Sequence, residues 1–267
     1  MEYVTTILSI SIALILIVAW SLLTVRLVSA MGIDMRDPAQ RTGARFLIIA
    51  IIANILLIGV VGLVFRIVNG QALSRLGFSL SPGELAFAIG MLVVTFVIAI
   101  GFVYSLQIGH ILSVQWLPDT QQMIKLPFLL GIVALFVAAL QEEVVFRGFL
   151  TANLAQYGFL WALLGSAVIF TGFHFLTSRV NVFQVADWFM GGLILFVVYV
   201  VSGSIWVSTI VHFSRNLANL LVFDITEKHV LYRLDPSVRP RYKTLYTFIL
   251  TLAWLAVTVL FYSLSAS

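Results

Sequence analysis

Seven side chains of this 267-residue chain combine chemically useful types with regular spacing: Glu142, Glu143, Arg147, His174, His212, Arg215 and Asn216. All seven lie in or at the end of apolar runs. Fifteen uncharged residues, LPFLLGIVALFVAAL, lead directly into QEEVVFRGFL, residues 141–150. Burying an ionisable group in a bilayer costs several kcal/mol unless it is paired, so such a set marks a functional site by default. Glu143 and Arg147 are four residues apart with the acid first, which places them on one helix face as an ion pair. Glu142 projects about 100° away from Glu143. One carboxylate is neutralised and the other is left for reaction.

Folding the fourth and fifth apolar segments into an antiparallel hairpin brings in the first histidine. The turn falls near Gly158, with Glu142 sixteen residues before it and His174 sixteen after. Equal arms put both side chains roughly 24 Å from the turn at about 1.5 Å per residue. A carboxylate and an imidazole around one water make a general base. His212 and Asn216, four apart in HFSRN, share a second helix face. Both can donate hydrogen bonds, as the holder of a developing oxyanion must. Arg215 points elsewhere. It and Asp187 stand symmetrically about residue 201, which predicts a pair across the next hairpin. Gly191 and Gly192 suit a close helix approach. His110 and His229 fall in or near loops and are assigned no role.

The elements that must position these groups are transmembrane helices. Hydrophobic residues make up 61% of the chain and charged residues 10%, with mean hydropathy +1.10, against about 25% charged in a soluble domain. The fold class expected is all-α, a polytopic membrane protein with about eight transmembrane helices: 5–29, 46–68, 84–107, 127–155, 159–178, 183–201, 204–223 and 243–264. Residues 1–267 read as a single integral membrane domain. The first run is long for a signal peptide and has no basic residue before it, so it reads as a retained span. SPGE at 81–84 reads as a capping box, and Pro82 and Pro127 sit where helices can begin. The absence of cysteine excludes disulfides and thiolate metal sites. The net charge of +4 suits a lipid bilayer and gives no sign of a nucleic-acid partner.

Basic residues set an expected orientation. Eleven fall on one side: Arg26, Arg36, Arg41, Arg45, Lys125, Arg179, Lys228, Arg233, Arg239, Arg241 and Lys243. Arg66, Arg75 and Arg147 fall toward the other. The positive-inside rule makes the eleven-residue side cytoplasmic and places both termini outside the cytoplasm.

Three motifs in order resemble the CAAX protease and bacteriocin-processing family, also called the Abi or type II CAAX prenyl endopeptidase family. They are EEVVFR at Glu142–Arg147, FTGFH at Phe170–His174 and HFSRN at His212–Asn216. The stretch GGLILFVVYVVSGSIWVSTIVHFSRN also looks like the family's approach to the third motif. The similarity covers about 125–223, the family-like catalytic core. It implies an intramembrane endopeptidase with its site in a cavity open to the cytoplasm and a membrane-bound peptide or protein as substrate. By that resemblance Glu142 and His174 activate water, His212 and Asn216 stabilise the oxyanion, and Glu143 and Arg147 support them. Some members are labelled metalloproteases. No HExxH is present, yet Glu142, His174 and His212 could hold zinc as a His2Glu set. The alternative functions are a non-enzymatic membrane protein of the same fold, such as a bacteriocin-immunity factor or scaffold, and a proton-coupled transporter. A transporter calls for polar residues along a path through both leaflets. The sequence instead clusters them on the fourth to seventh helices and leaves the first three nearly bare.

Overall fold

The structure, a computed structural model, describes residues 2–34, 40, 42–109, 125–175, 181–221 and 239–265. Among them are eight long helices and no strand. They are α1 (Glu2–Ala30), α2 (Ala44–Val68), α3 (Pro82–Ile108), α4 (Leu126–Tyr157), α5 (Phe159–His174), α6 (Val182–Ser202), α7 (Ile205–Leu221) and α8 (Arg239–Ser265). Six are long and apolar enough to cross a membrane. The exceptions are α5, with 16 residues, and α7, with 17. These two carry His174, His212 and Asn216. The chain is an integral, multi-pass membrane protein.

Local chemistry explains the helix ends. Ser81 caps α3: its Oγ accepts from the Glu84 amide at 3.3 Å, while Glu84 Oε2 accepts from the Ser81 amide at 2.6 Å. Pro82 opens that helix and Pro127 lies in the first turn of α4. Asn181 Oδ1 caps α6 by accepting from the Gln184 amide at 3.0 Å. The α4–α5 turn is made at Gly158, whose φ of 98° suits glycine.

Two apolar clusters build the bundle. One joins α3, α6, α7 and α8 around Met91, Leu195, Val211, Tyr246 and Trp254. The other joins α1, α2, α4 and α5 around Phe65, Phe146, Phe149 and Phe170. Helix α7 packs against both α3 and α4, so its polar face lies at the seam between the clusters. Its rotation is fixed from behind. Ser214 Oγ lies 2.9 Å from Thr95 Oγ1, which also accepts from Trp254 Nε1 at 3.0 Å.

The segment after α2 closes the far end of the α6–α7 hairpin. A 3-10 turn, Leu73–Leu76, leads to Gly77, where a Cβ would lie 2.8 Å from the Gly203 carbonyl oxygen. The Ile205 amide donates to Gly77 O at 2.7 Å, Ser204 Oγ to Ser79 O at 2.5 Å and Trp206 Nε1 to Phe78 O at 3.3 Å. The start of α7, and with it the depth of His212, is held by backbone groups of this segment.

Candidate active site

Helix α4 changes pitch at the site. It is α-helical to Glu143 and π-helical over Val144–Leu150. Such wide turns are rare and recur at functional sites. Here the Phe146 carbonyl accepts from both Thr151 Oγ1 and Ser166 Oγ at 3.1 Å. Gly148 lets the wide turn meet the closing segment: a Cβ there would lie 3.0 Å from Ile205 Cδ1 and 3.3 Å from Leu76 O.

The ion pair expected from spacing is present. Arg147 Nε lies 3.2 Å from Glu143 Oε2, and both side chains are fully buried. Glu143 does more than neutralise Arg147, because its other oxygen accepts from His212 Nδ1 at 2.8 Å. Arg147 stacks over Phe170, 4.6 Å from the ring centroid, and donates to Gly192 O at 3.4 Å. Phe170 in turn packs edge-on against His174 and His212, with ring centroids 4.7 Å and 6.1 Å away. The phenylalanine of the second motif is thus the apolar body around which three polar groups are arranged.

Glu142 is half-buried and faces the other way. Its Oε2 is 3.8 Å from His212 Nε2 and makes no hydrogen bond among the described residues. His174 Nδ1 donates to Phe170 O at 2.9 Å, which fixes the orientation of the ring. The ring lies against Trp188, centroids 4.9 Å apart. Equal hairpin arms do bring Glu142 and His174 to one cavity of about 80 Å3, which His212 and Asn216 also line. Among the described residues no hydrogen bond joins Glu142 to His174, and the nearer histidine contact of Glu142 is to His212.

Asp187 and Arg215 pair across the α6–α7 hairpin at 2.8 Å, as their symmetry predicts. Lys243 of α8 joins them, 3.1 Å from the second Asp187 oxygen. That third member is invisible to hairpin arithmetic because it comes from a distant helix. The two glycines of α6 have different tasks. A Cβ on Gly192 would be 3.1 Å from the Ala167 Cα, a close helix approach, whereas one on Gly191 would be 2.6 Å from Arg215 Nη1. Gly191 makes room for a guanidinium.

Two larger cavities adjoin the small one. One, about 340 Å3, is bounded by α1, α2, α4 and α5 and reaches Glu142 and His174. The other, about 500 Å3, is bounded by α2, α4, α7 and α8 and reaches Asn216. Phe46, Ala50, Asn54 and Ala138 line both, so the two share a wall. Asn54 of α2 is a polar side chain of the first three helices, which the sequence leaves nearly bare, and it lines both cavities. Thr42, Pro127 and Lys243 line the larger cavity. It therefore opens at the end of the bundle that carries Arg45, Lys125 and Arg241. Of the other basic residues counted on that side, Arg36, Arg41, Arg179, Lys228 and Arg233 lie outside the described residues, as do His110 and His229.

Catalytic zinc requires three converging protein ligands and a water. His174 and His212 each have Nδ1 held by an oxygen acceptor, the outer support typical of zinc-binding histidines. Yet no three His, Asp or Glu side chains among the described residues converge closely enough to hold a metal ion. As placed, Glu142, His174 and His212 do not form a zinc site.

Residues 124–218 match the model of a family described as Type II CAAX prenyl endopeptidase Rce1-like. This segment is similar to that family. The match contains all three motifs, runs from the start of α4 into α7 and begins and ends within a few residues of the 125–223 core read from the sequence. The matched family is, by its description, one of endopeptidases. Comparison with curated proteins gives no match.

Proposed function

We propose that this chain is an intramembrane endopeptidase of CAAX type, hydrolysing a peptide bond of a membrane-associated protein or peptide. The observation that supports it best is the convergence of Glu142, His174, His212 and Asn216 on one small cavity at the floor of a long apolar groove. Water accepts positioning from Glu142 and from Nε2 of His174. Glu142 takes a proton as the water oxygen attacks the scissile carbonyl carbon. His212, donating from Nε2 as imidazolium while Nδ1–H stays on Glu143, and Asn216, donating from its amide, hold the oxyanion. Collapse of the tetrahedral intermediate breaks the C–N bond, and the proton held by Glu142 passes to the leaving amine. One water is consumed: one of its protons reaches the leaving amine through Glu142 and the other stays on the new carboxyl group, so a carboxylic acid and an amine are formed. Zinc has no part in this scheme. With the basic end cytoplasmic, the groove receives substrate from the cytoplasmic leaflet.

One structural relation weighs against a transporter. Among the described residues, a polar chain at the other end of α4 runs from Ser9 through Asn69 to Asn153 and on through Gln156 to Thr6. Phe65, Val145, Phe146 and Phe149, all buried, lie in the apolar cluster between that chain and Glu142. The test of the peptidase reading is comparative proteomics of the membrane fraction from cells carrying the wild-type chain or Glu142→Gln. The expected result is one or more membrane proteins that are shortened only with the wild type. Identical termini in both would remove the support for an active protease.

A further inference from the structure

The groove contains buried amides that the catalytic scheme leaves without work. Gln141 on α4 is 5% exposed and Asn219 on α7 is 7% exposed, so each is more than nine-tenths buried. Gln141 Nε2 and Asn219 Oδ1 make no hydrogen bond among the described residues. A buried amide atom without a partner is costly and rare in folded proteins, and a partner supplied by a ligand is one way to restore it. Gln141 lines the first cavity beside Glu142, and Asn219 lines the second beside Asn216. Asn54 lines both. The nearby hydroxyls are already engaged: Ser21 Oγ and Thr24 Oγ1 donate to the Ile17 and Trp20 carbonyls of their own helix.

We propose that Gln141, Asn54 and Asn219 form an amide track that pairs main-chain groups of an extended peptide on both sides of the scissile bond. The inference rests on the peptidase reading and adds the conformation of the substrate. A helical segment satisfies its own N–H and C=O groups and would offer nothing to these amides. An extended segment brings unpaired main-chain groups into an apolar groove, where each needs a partner. Gln141, beside the attacking-water side, donates to a substrate carbonyl through Nε2. Asn219, beside the oxyanion side, accepts a substrate N–H through Oδ1. These are positioning residues, and their effect is on binding and register rather than on proton transfer.

The test uses the purified full chain in phospholipid vesicles and a fluorescent S-prenylated CAAX peptide. Both its Kd and its cleavage kinetics are read. Gln141→Met and Asn219→Leu are each expected to raise Kd and KM about tenfold, the loss of one hydrogen bond or a little more, with a much smaller change in kcat. A series of peptides in which single backbone N–H groups are replaced by ester oxygen separates direct pairing from altered packing. One ester position should weaken binding to the wild type and to Gln141→Met, but cause no further loss in Asn219→Leu. Kd and KM within twofold of wild type in both variants would overturn the proposal. So would ester losses as large in Asn219→Leu as in wild type at every position. Wild-type protein that binds the peptide with these variant effects but leaves it uncleaved would uphold the track and sink the peptidase reading.

Discussion

His212 Nδ1 lies 2.8 Å from one oxygen of Glu143, and Arg147 Nε lies 3.2 Å from the other. One buried carboxylate therefore links an ion pair within α4 to a histidine on α7. In this geometry the doubled glutamate of the first motif has two separate tasks. Glu143 aims His212 and neutralises Arg147, while Glu142, one residue earlier, faces the cavity and is the carboxylate to which the proposed scheme gives the proton.

The first prediction concerns Glu142. The Glu142→Gln variant keeps the shape and removes the base. Cleavage of a membrane peptide should fall at least ~100-fold, the lower end for loss of a general base. Membrane insertion and thermal stability should stay normal, because the group is half-buried and makes no hydrogen bond that holds the fold among the described residues. Near-normal cleavage by this variant would remove Glu142 from the catalytic role.

The Glu143–Arg147 pair calls for a double-mutant cycle. Each of Glu143→Gln and Arg147→Met leaves an uncompensated charge in a fully buried place, and each should destabilise by about 3–5 kcal/mol. Removing both should cost less than the sum of the singles. Unfolding in mild detergent measures all four corners of the cycle. Strict additivity would mean that the two groups do not interact. The double variant should still lose activity, because His212 has lost the acceptor that fixes its ring.

Much of this was legible in the sequence, and the reasons are specific. Equal hairpin arms about Gly158 placed Glu142 and His174 on one cavity, since both arms are continuous helix. Symmetry about residue 201 paired Asp187 with Arg215 for the same reason. A fixed 100° per residue could not foresee the π-helical turn after Glu143, nor the segment through Gly77 that seats the start of α7. Lys243 reaches Asp187 from α8, a contact between elements far apart in the chain. Gln141 and Asn219 carry no charge, so their residue types do not mark them out within an apolar run. Their significance lies in being unpaired while buried, a property of the packing alone.

Orientation gives another prediction. Arg45, Lys125, Arg241 and Lys243 share the end at which the groove opens, with Thr42 and Pro127 at its mouth. By the positive-inside rule that end is expected to be cytoplasmic. A reporter fused after Ser267 should then work only if it functions outside the cytoplasm. Activity of a reporter that works solely in the cytoplasm would invert the topology and the direction from which substrate arrives.

The last prediction concerns metal. Glu142, His174 and His212 could supply a His2Glu set in composition, and both histidines have Nδ1 tied to an oxygen acceptor as zinc ligands commonly do. The three do not converge at ligating distance, however, and a metal among them would leave Asn216 beside it with no ligand role. In the proposed metal-free scheme all four side chains have work: Glu142 and His174 on the water, His212 and Asn216 on the oxyanion. The expected outcome is cleavage that survives prolonged chelation, by protein with no stoichiometric zinc in elemental analysis. Stoichiometric zinc, with activity lost to chelator and restored by zinc alone, would show that Glu142, His174 and His212 draw together around an ion. Their roles would then be those of ligands, and Asn216 would be the residue to reassign.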